Sequence, residues 1–158
     1  ISDGNQSNLL AASDLAESTL ETALTSIQKI KDDRGILVGA SAVSLHIPVD
    51  YWAVADRVLS SPGNTQTSAA DANPNTNAIN AVRHMGMVPE GYFINRRLTD
   101  TDAWFVKTDV PNGTKMFVRS PLQTKMEPDF DTGNLRFKAR ERYSFGVSDW
   151  RGFFGSAG

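Results

Sequence analysis

Residues 135–147 read LRFKARERYSFGV, and the fold turns on how they alternate. Leu135, Phe137, Ala139, Tyr143, Phe145 and Val147 hold the odd positions, whereas Arg136, Lys138, Arg140 and Arg142 hold the even ones. Successive side chains of a strand point to opposite faces, so this pattern is a two-faced β-strand. At about 3.3 Å per residue it spans roughly 40 Å, about twice an ordinary strand. Such length suits an extended subunit that touches neighbours. The apolar face is expected to pack on the body of the molecule, and the basic face to look toward solvent or acidic neighbours. Glu141 interrupts the apolar face. A lone buried carboxylate is costly, so it should meet a cation, within the sheet or across a subunit contact, or lie where the core thins.

Upstream of this strand, Asp131-Thr132-Gly133-Asn134 is a turn signal leading into it. Ala103–Lys107 and Met116–Arg119 flank Pro111-Asn112-Gly113, which reads as a hairpin. Residues 62–77, PGNTQTSAADANPNTN, are small and polar and hold nothing that anchors a core. They read as a long mobile loop, with Asn64, Asn73 and Asn75 as candidates for partner contact. Further back, SDLAESTLETALTSIQKIKDD from Ser13 places Leu20, Leu24 and Ile27 at helical spacing. Ser13 is the expected N-cap and Gly35 the stop. Ile36–Pro48 is β-favouring, broken at Gly39-Ala40-Ser41, and a second helix follows with Pro48 in its first turn and Ser60-Ser61-Pro62-Gly63 at its end. Helices followed by strands predict an α+β fold, an antiparallel sheet covered on one side by helices.

Composition bounds the class. The 158 residues are 40% hydrophobic and 22% charged, enough to bury a core in one compact unit or two lobes. No apolar run reaches the roughly 18 residues of a membrane helix, and the start Ile1-Ser2-Asp3-Gly4 lacks the pattern of a secretory signal. A beginning at Ile, without Met, reads as a processed or excised chain. There is no cysteine, which removes disulfide and thiolate chemistry. Sixteen basic residues against 18 acidic ones weigh against wholesale phosphate binding.

Candidate chemistry is sparse. His46 lies between Leu45 and Ile47 and faces away from them, which suits a sheet-face residue better than a general base. His84 follows Arg83 in a segment that reads as extended, and no Gly-x-Ser-x-Gly turn presents a nucleophile. Asp129, Asp131 and Gly133 begin like a calcium loop, but the later bidentate Glu is missing, and no phosphate-cradling glycine motif occurs. No metal or cofactor is expected. The basic row of the last strand could grip phosphates, yet Phe137, Tyr143 and Phe145 lie on the opposite face, unlike the interleaving of nucleic-acid readers. Trp104 reads as core. Trp150, Phe153 and Phe154 fall beyond the final strand in a Gly-rich tail, where they read as anchors for a neighbour.

Three runs taken in order carry a family resemblance: LHIPVDYWAVADRVLSS at 45–61, DAWFVKTD at 102–109 and LRFKARERYSFGVSDWRGFFGS at 135–156. Together they resemble the C-terminal half of major capsid proteins of tailed bacteriophages or prophages of the Hong Kong 97 type. Ile47-Pro48 and Ala55, Val58 and Leu59 fill the places of a strand-to-helix element, and Asp149-Trp150-Arg151-Gly152 closes the pattern. The resemblance implies an axial domain over 13–100 with the loop 62–77, after a flexible lead-in at 1–12. It implies that 101–158 returns to a peripheral sheet and ends in a tail. The function it implies is structural and non-catalytic: a head subunit, self-assembled through hexamers and pentamers into an icosahedral shell around double-stranded DNA. Assembly would occur in the bacterial host cytoplasm, with other head proteins as further partners and no membrane. Arg136, Arg140, Glu141, Trp150, Arg151, Phe153 and Phe154 join the three asparagines as contact candidates. The family's N-terminal arm, extended loop and spine helix have no counterpart here. The alternative reading is a small α+β ligand-binding or hydrolytic domain using His46 or His84, and a second rival is a DNA-binding module using the basic strand.

Overall fold

A stripe of apolar residues closes one face of α1, Glu17–Gln28, burying Leu20, Ala23, Leu24 and Ile27. The helix starts later than Ser13 because Thr19, not a serine, organises its first turn. The Thr19 hydroxyl accepts the Ala16 N–H at 2.9 Å and donates to the Asp14 carbonyl at 2.8 Å. The computed structural model describes residues 2, 3, 6–63 and 79–157. Most of the loop predicted at 62–77, with Asn64, Asn73 and Asn75, lies outside the described residues.

Two minimal strands, β1 (Ser2–Asp3) and β2 (Gln6–Ser7), pair antiparallel at the start. After α1 come β3 (Ala42–Ile47), a 3-10 turn over Val49–Tyr51, α2 (Trp52–Ser60) and the short α3 (Ala81–His84). Then follow β4 (Tyr92–Ile94), β5 (Trp104–Thr108), β6 (Thr114–Pro128), β7 (Leu135–Val147) and, after a 3-10 turn over Trp150–Gly152, β8 (Phe153–Ser156). Of the β-favouring residues 36–38, only Leu37 makes a bridge, to Lys31, and Ile36, Leu37 and Val38 are exposed. His84 ends a helical turn rather than an extended segment, since Asn80 caps that turn by accepting the Arg83 N–H at 3.0 Å.

The chain forms two compact units, one of residues 1–111 with 150–158 and one of residues 112–149. The larger unit is built on a four-stranded sheet in the order β4-β3-β5-β8, mixed because β3 and β4 run parallel while β5 runs antiparallel to both β3 and β8. Leu45 and Ile47 of β3, Trp104 and Val106 of β5 and Phe154 of β8 join the buried faces of α1 and α2 in one cluster. Helices on one side of a sheet is the predicted α+β class, but the sheet is mixed rather than antiparallel as expected. Trp104 is fully buried, and its indole N–H donates to the Ser13 carbonyl at 3.0 Å.

The C-terminal stretch departs from the expectation of an open tail. Trp150–Ser156 returns to the sheet, where Phe154 pairs with Val106 and is only 2% exposed. Gly155 has a packing reason: a Cβ there would stand 2.6 Å from Cδ1 of Phe105, whose ring lies across the strand. Asn8–Ala12, expected within a flexible lead-in, run beside β8 instead. The Leu10 N–H donates to the Gly155 carbonyl at 2.8 Å, and the Asn8 side chain donates to the Phe153 carbonyl at 3.0 Å.

Candidate assembly interface

The smaller unit is a single antiparallel hairpin of β6 and β7. Its turn is fixed locally. The Asp129 N–H donates to the Asn134 carbonyl at 2.8 Å, the Gly133 N–H to the Asp129 carbonyl at 2.9 Å, and Gly133 adopts φ +67°, the left-handed region suited to glycine. The Asp129 carboxylate accepts from the Thr132 hydroxyl at 2.8 Å and from the Arg136 guanidinium at 2.7 Å. A carboxylate so engaged braces the turn. At the other end the Ser148 N–H donates to Gly113 and the Asp149 N–H to Asn112, at 3.0 and 3.1 Å, so the two ends of the hairpin meet.

Pro111-Asn112-Gly113 therefore does not join Ala103–Lys107 to Met116–Arg119 as a hairpin. β5 pairs with β3 and β8, and β6 pairs with β7. The partner of β7 is the whole run Thr114–Pro128, carried past Pro121 by register shifts between Val118 and Ser120 and between Ser120 and Gln123.

Residues directly opposite in an antiparallel pair share a face. Met126 opposite Phe137, Val118 opposite Tyr143 and Met116 opposite Phe145 thus form one apolar face, with Leu135 and Val147 at its ends. Glu127 opposite Arg136, Lys125 opposite Lys138, and Gln123 opposite Arg140 form the other, with an ion pair between Lys125 and Glu127. The alternation is as the sequence indicates, but the expected packing is not found. Phe137 is 61% exposed and Phe145 71% exposed, and the remaining apolar residues of that face are exposed with them. Tyr143 and Phe145 meet edge to face, ring centroids 5.4 Å apart, and Phe130 at the tip is fully exposed. Glu141 is exposed too, which fits the second alternative expected of it, a place where no core covers the strand. Arg136 and Arg140 stand on the basic face, both exposed. An isolated two-stranded hairpin is marginal in water, and one with an apolar face in water is a surface for another element to cover.

The other contact candidates sit in the larger unit. Arg151 reaches Asp33 at 3.0 Å and lies over the Trp150 ring at 4.9 Å. Trp150 is partly buried against the core, and Phe154 is inside it, so Phe154 is no surface anchor. Phe153 is half-buried on the sheet face away from the helices, beside His46 at 5.9 Å between ring centroids. Phe93 stacks on the other side of His46 at 5.5 Å. Phe93 was not singled out in the sequence, because its place beside His46 depends on the parallel pairing of β3 with β4.

Burial and the Lys107 charge hold the His46 pKa below its usual value, opposed by Glu90. Nε2 of His46 lies 3.2 Å from the Ser44 hydroxyl, a contact with the elements of a nucleophile and base. Yet Ser44 is only 1% exposed, so its oxygen is closed to a substrate carbonyl. The pair belongs to the packing of the sheet face. Among the described residues no group of three or more His, Asp or Glu could hold a metal, and no helix is long and apolar enough to cross a membrane. A groove of about 250 Å³ between α1 and α3 is lined mainly by apolar side chains, including Leu24, Val82, Met85 and Met87.

A protein-family model described as phage capsid protein matches residues 1–155. No curated protein matches the chain.

Proposed function

The chain belongs to the phage capsid protein family, and from this membership we propose that it is a head subunit that self-assembles into an icosahedral shell around double-stranded DNA. Membership makes it a structural component of the virion. The proposal adds hexamers and pentamers as the capsomers, assembly in the host cytoplasm, and contacts with other head proteins. It also adds a Hong Kong 97-type fold, with the helix-backed sheet in the axial region and the hairpin belonging to the peripheral sheet. The supporting observation is the hairpin itself: strands of 15 and 13 residues whose apolar face is in water. Burying exposed Phe, Met and Tyr side chains against a neighbour removes apolar area at about 25 cal/mol per Å², a drive toward association that needs no ligand. The chain carries a formal net charge of only -2, which suits a wall that encloses DNA without gripping it.

Electron microscopy of the purified chain, beside a Phe137→Ser/Phe145→Ser variant, tests this. Shells or capsomers from the parent chain and dispersed subunits from the variant are the expected result. A parent chain that stays monomeric under every assembly condition, or a variant that assembles as well as the parent, would overturn it.

A further inference from the structure

The hairpin has two outer edges, and they are unlike. The outer edge of β6 is interrupted by two register shifts and by Pro121, which has no N–H to donate. β7 runs 13 residues from Leu135 to Val147 with no proline, so its backbone offers an unbroken ladder to a further strand. Arg136, Lys138, Arg140 and Arg142 stand in a row along that edge on one face, with Leu135, Phe137, Tyr143, Phe145 and Val147 on the other. The hairpin as a whole carries seven Lys and Arg against five Asp and Glu over 112–149, in a chain whose net charge is negative.

We propose that the free edge of β7 accepts an added β-strand from another polypeptide, an extended segment in which apolar residues alternate with Asp or Glu. The inference rests on reading the hairpin as an assembly arm, and it names the chemistry of what the arm receives. Backbone pairing supplies the generic attraction, and side chains directly across the ladder select the occupant. Apolar residues of the incoming strand extend the Phe137 and Phe145 face into a three-stranded surface, and its carboxylates fall opposite the arginine row. The same row refuses the β7 of a second copy. In antiparallel registers that keep most of the strand paired and the basic and apolar faces apart, Arg or Lys is set against Arg or Lys, and like charges directly opposite are destabilising; a one-residue slip instead sets Arg beside the aromatic side chains. Basic residues here do more than blunt an edge: they admit an acidic strand and turn away the strand's own duplicate.

The probe is a synthetic 13-residue peptide of alternating Val and Glu, matched in length to β7, with a Val and Lys peptide as its counterpart. Amide hydrogen exchange of the full chain is read residue by residue. With the Val and Glu peptide at about ten times its Kd, the β7 amides that face away from β6 should slow about tenfold, while β6 amides stay unchanged. The Val and Lys peptide should slow none of them. In a Lys138→Glu/Arg140→Glu chain the preference should reverse. No slowing at β7, equal slowing by both peptides, or slowing along the outer edge of β6 would overturn the proposal. The readout does not depend on shells: shells without peptide protection sink the strand-addition idea alone, whereas protection without shells supports it and sinks the assembly reading.

Discussion

His46 shows how packing sets the surroundings of one titratable side chain. It stands on the sheet face turned away from the helices, between Phe93 and Phe153, with Ser44 at hydrogen-bond distance. Burial disfavours the imidazolium and so does Lys107, so the folded ring titrates below 6.5. The sign of the linkage follows. As pH falls through about 6.5, the unfolded chain takes up this proton before the folded one does, so stability is lost on acidification until the folded ring also protonates. The urea midpoint should therefore fall from pH about 7 to about 5, and more steeply for the parent chain than for His46→Gln. Parallel curves for the two proteins would remove His46 as a source of the slope. The orientation of His46 was legible from Leu45-His46-Ile47, because alternation is local. Its aromatic neighbours were not, because Phe93 and Phe153 arrive from β4 and β8 through long-range pairing.

At the scale of elements, β7 was readable to its ends, since an alternation broken only at Glu141 still fits one period only. β6 was readable only around Met116–Arg119. Its two register shifts and Pro121 break the period midway, and a strand that changes phase looks in sequence like two fragments and a loop. β8 was missed for a different reason. Phe153-Phe154-Gly155-Ser156 is short and glycine-bearing, and only the pairing of Gly155 with Phe105 shows that the small residue makes room for a ring. The hairpin turn allows a direct test. Gly133 at φ +67° has open space where a Cβ would go, so Gly133→Ala adds backbone strain without a clash, about 1–2 kcal/mol. Amide exchange of β6 and β7 should accelerate accordingly while β3 and β5 keep their protection. Uniform acceleration across both sets would mean that the hairpin does not open by itself.

At the scale of the molecule, family membership rather than any side-chain constellation identifies the role. The division into units was not legible, because apolar alternation reads the same whether a face is covered by its own chain or left for another. Since Asn112 and Asp149 are joined by a backbone hydrogen bond at 3.1 Å, residues 114–147 can be replaced by a short Gly-Ser turn without stretching the chain. The shortened protein should melt cooperatively, with its core of Trp104, Val106 and Phe154 intact, yet form no assemblies by light scattering. Loss of the cooperative transition would show that the core depends on the hairpin, and retained assembly would place the contacts elsewhere.

That the hairpin enters and leaves at one point also makes its reach an adjustable quantity. Two residues added to each strand lengthen it by roughly 7 Å and keep every side chain on its own face, whereas a single residue added to one strand turns the arginine row over to the aromatic side. In the proposed assembly, insertions in even steps would therefore change the span the arm reaches while leaving each side chain on its own face.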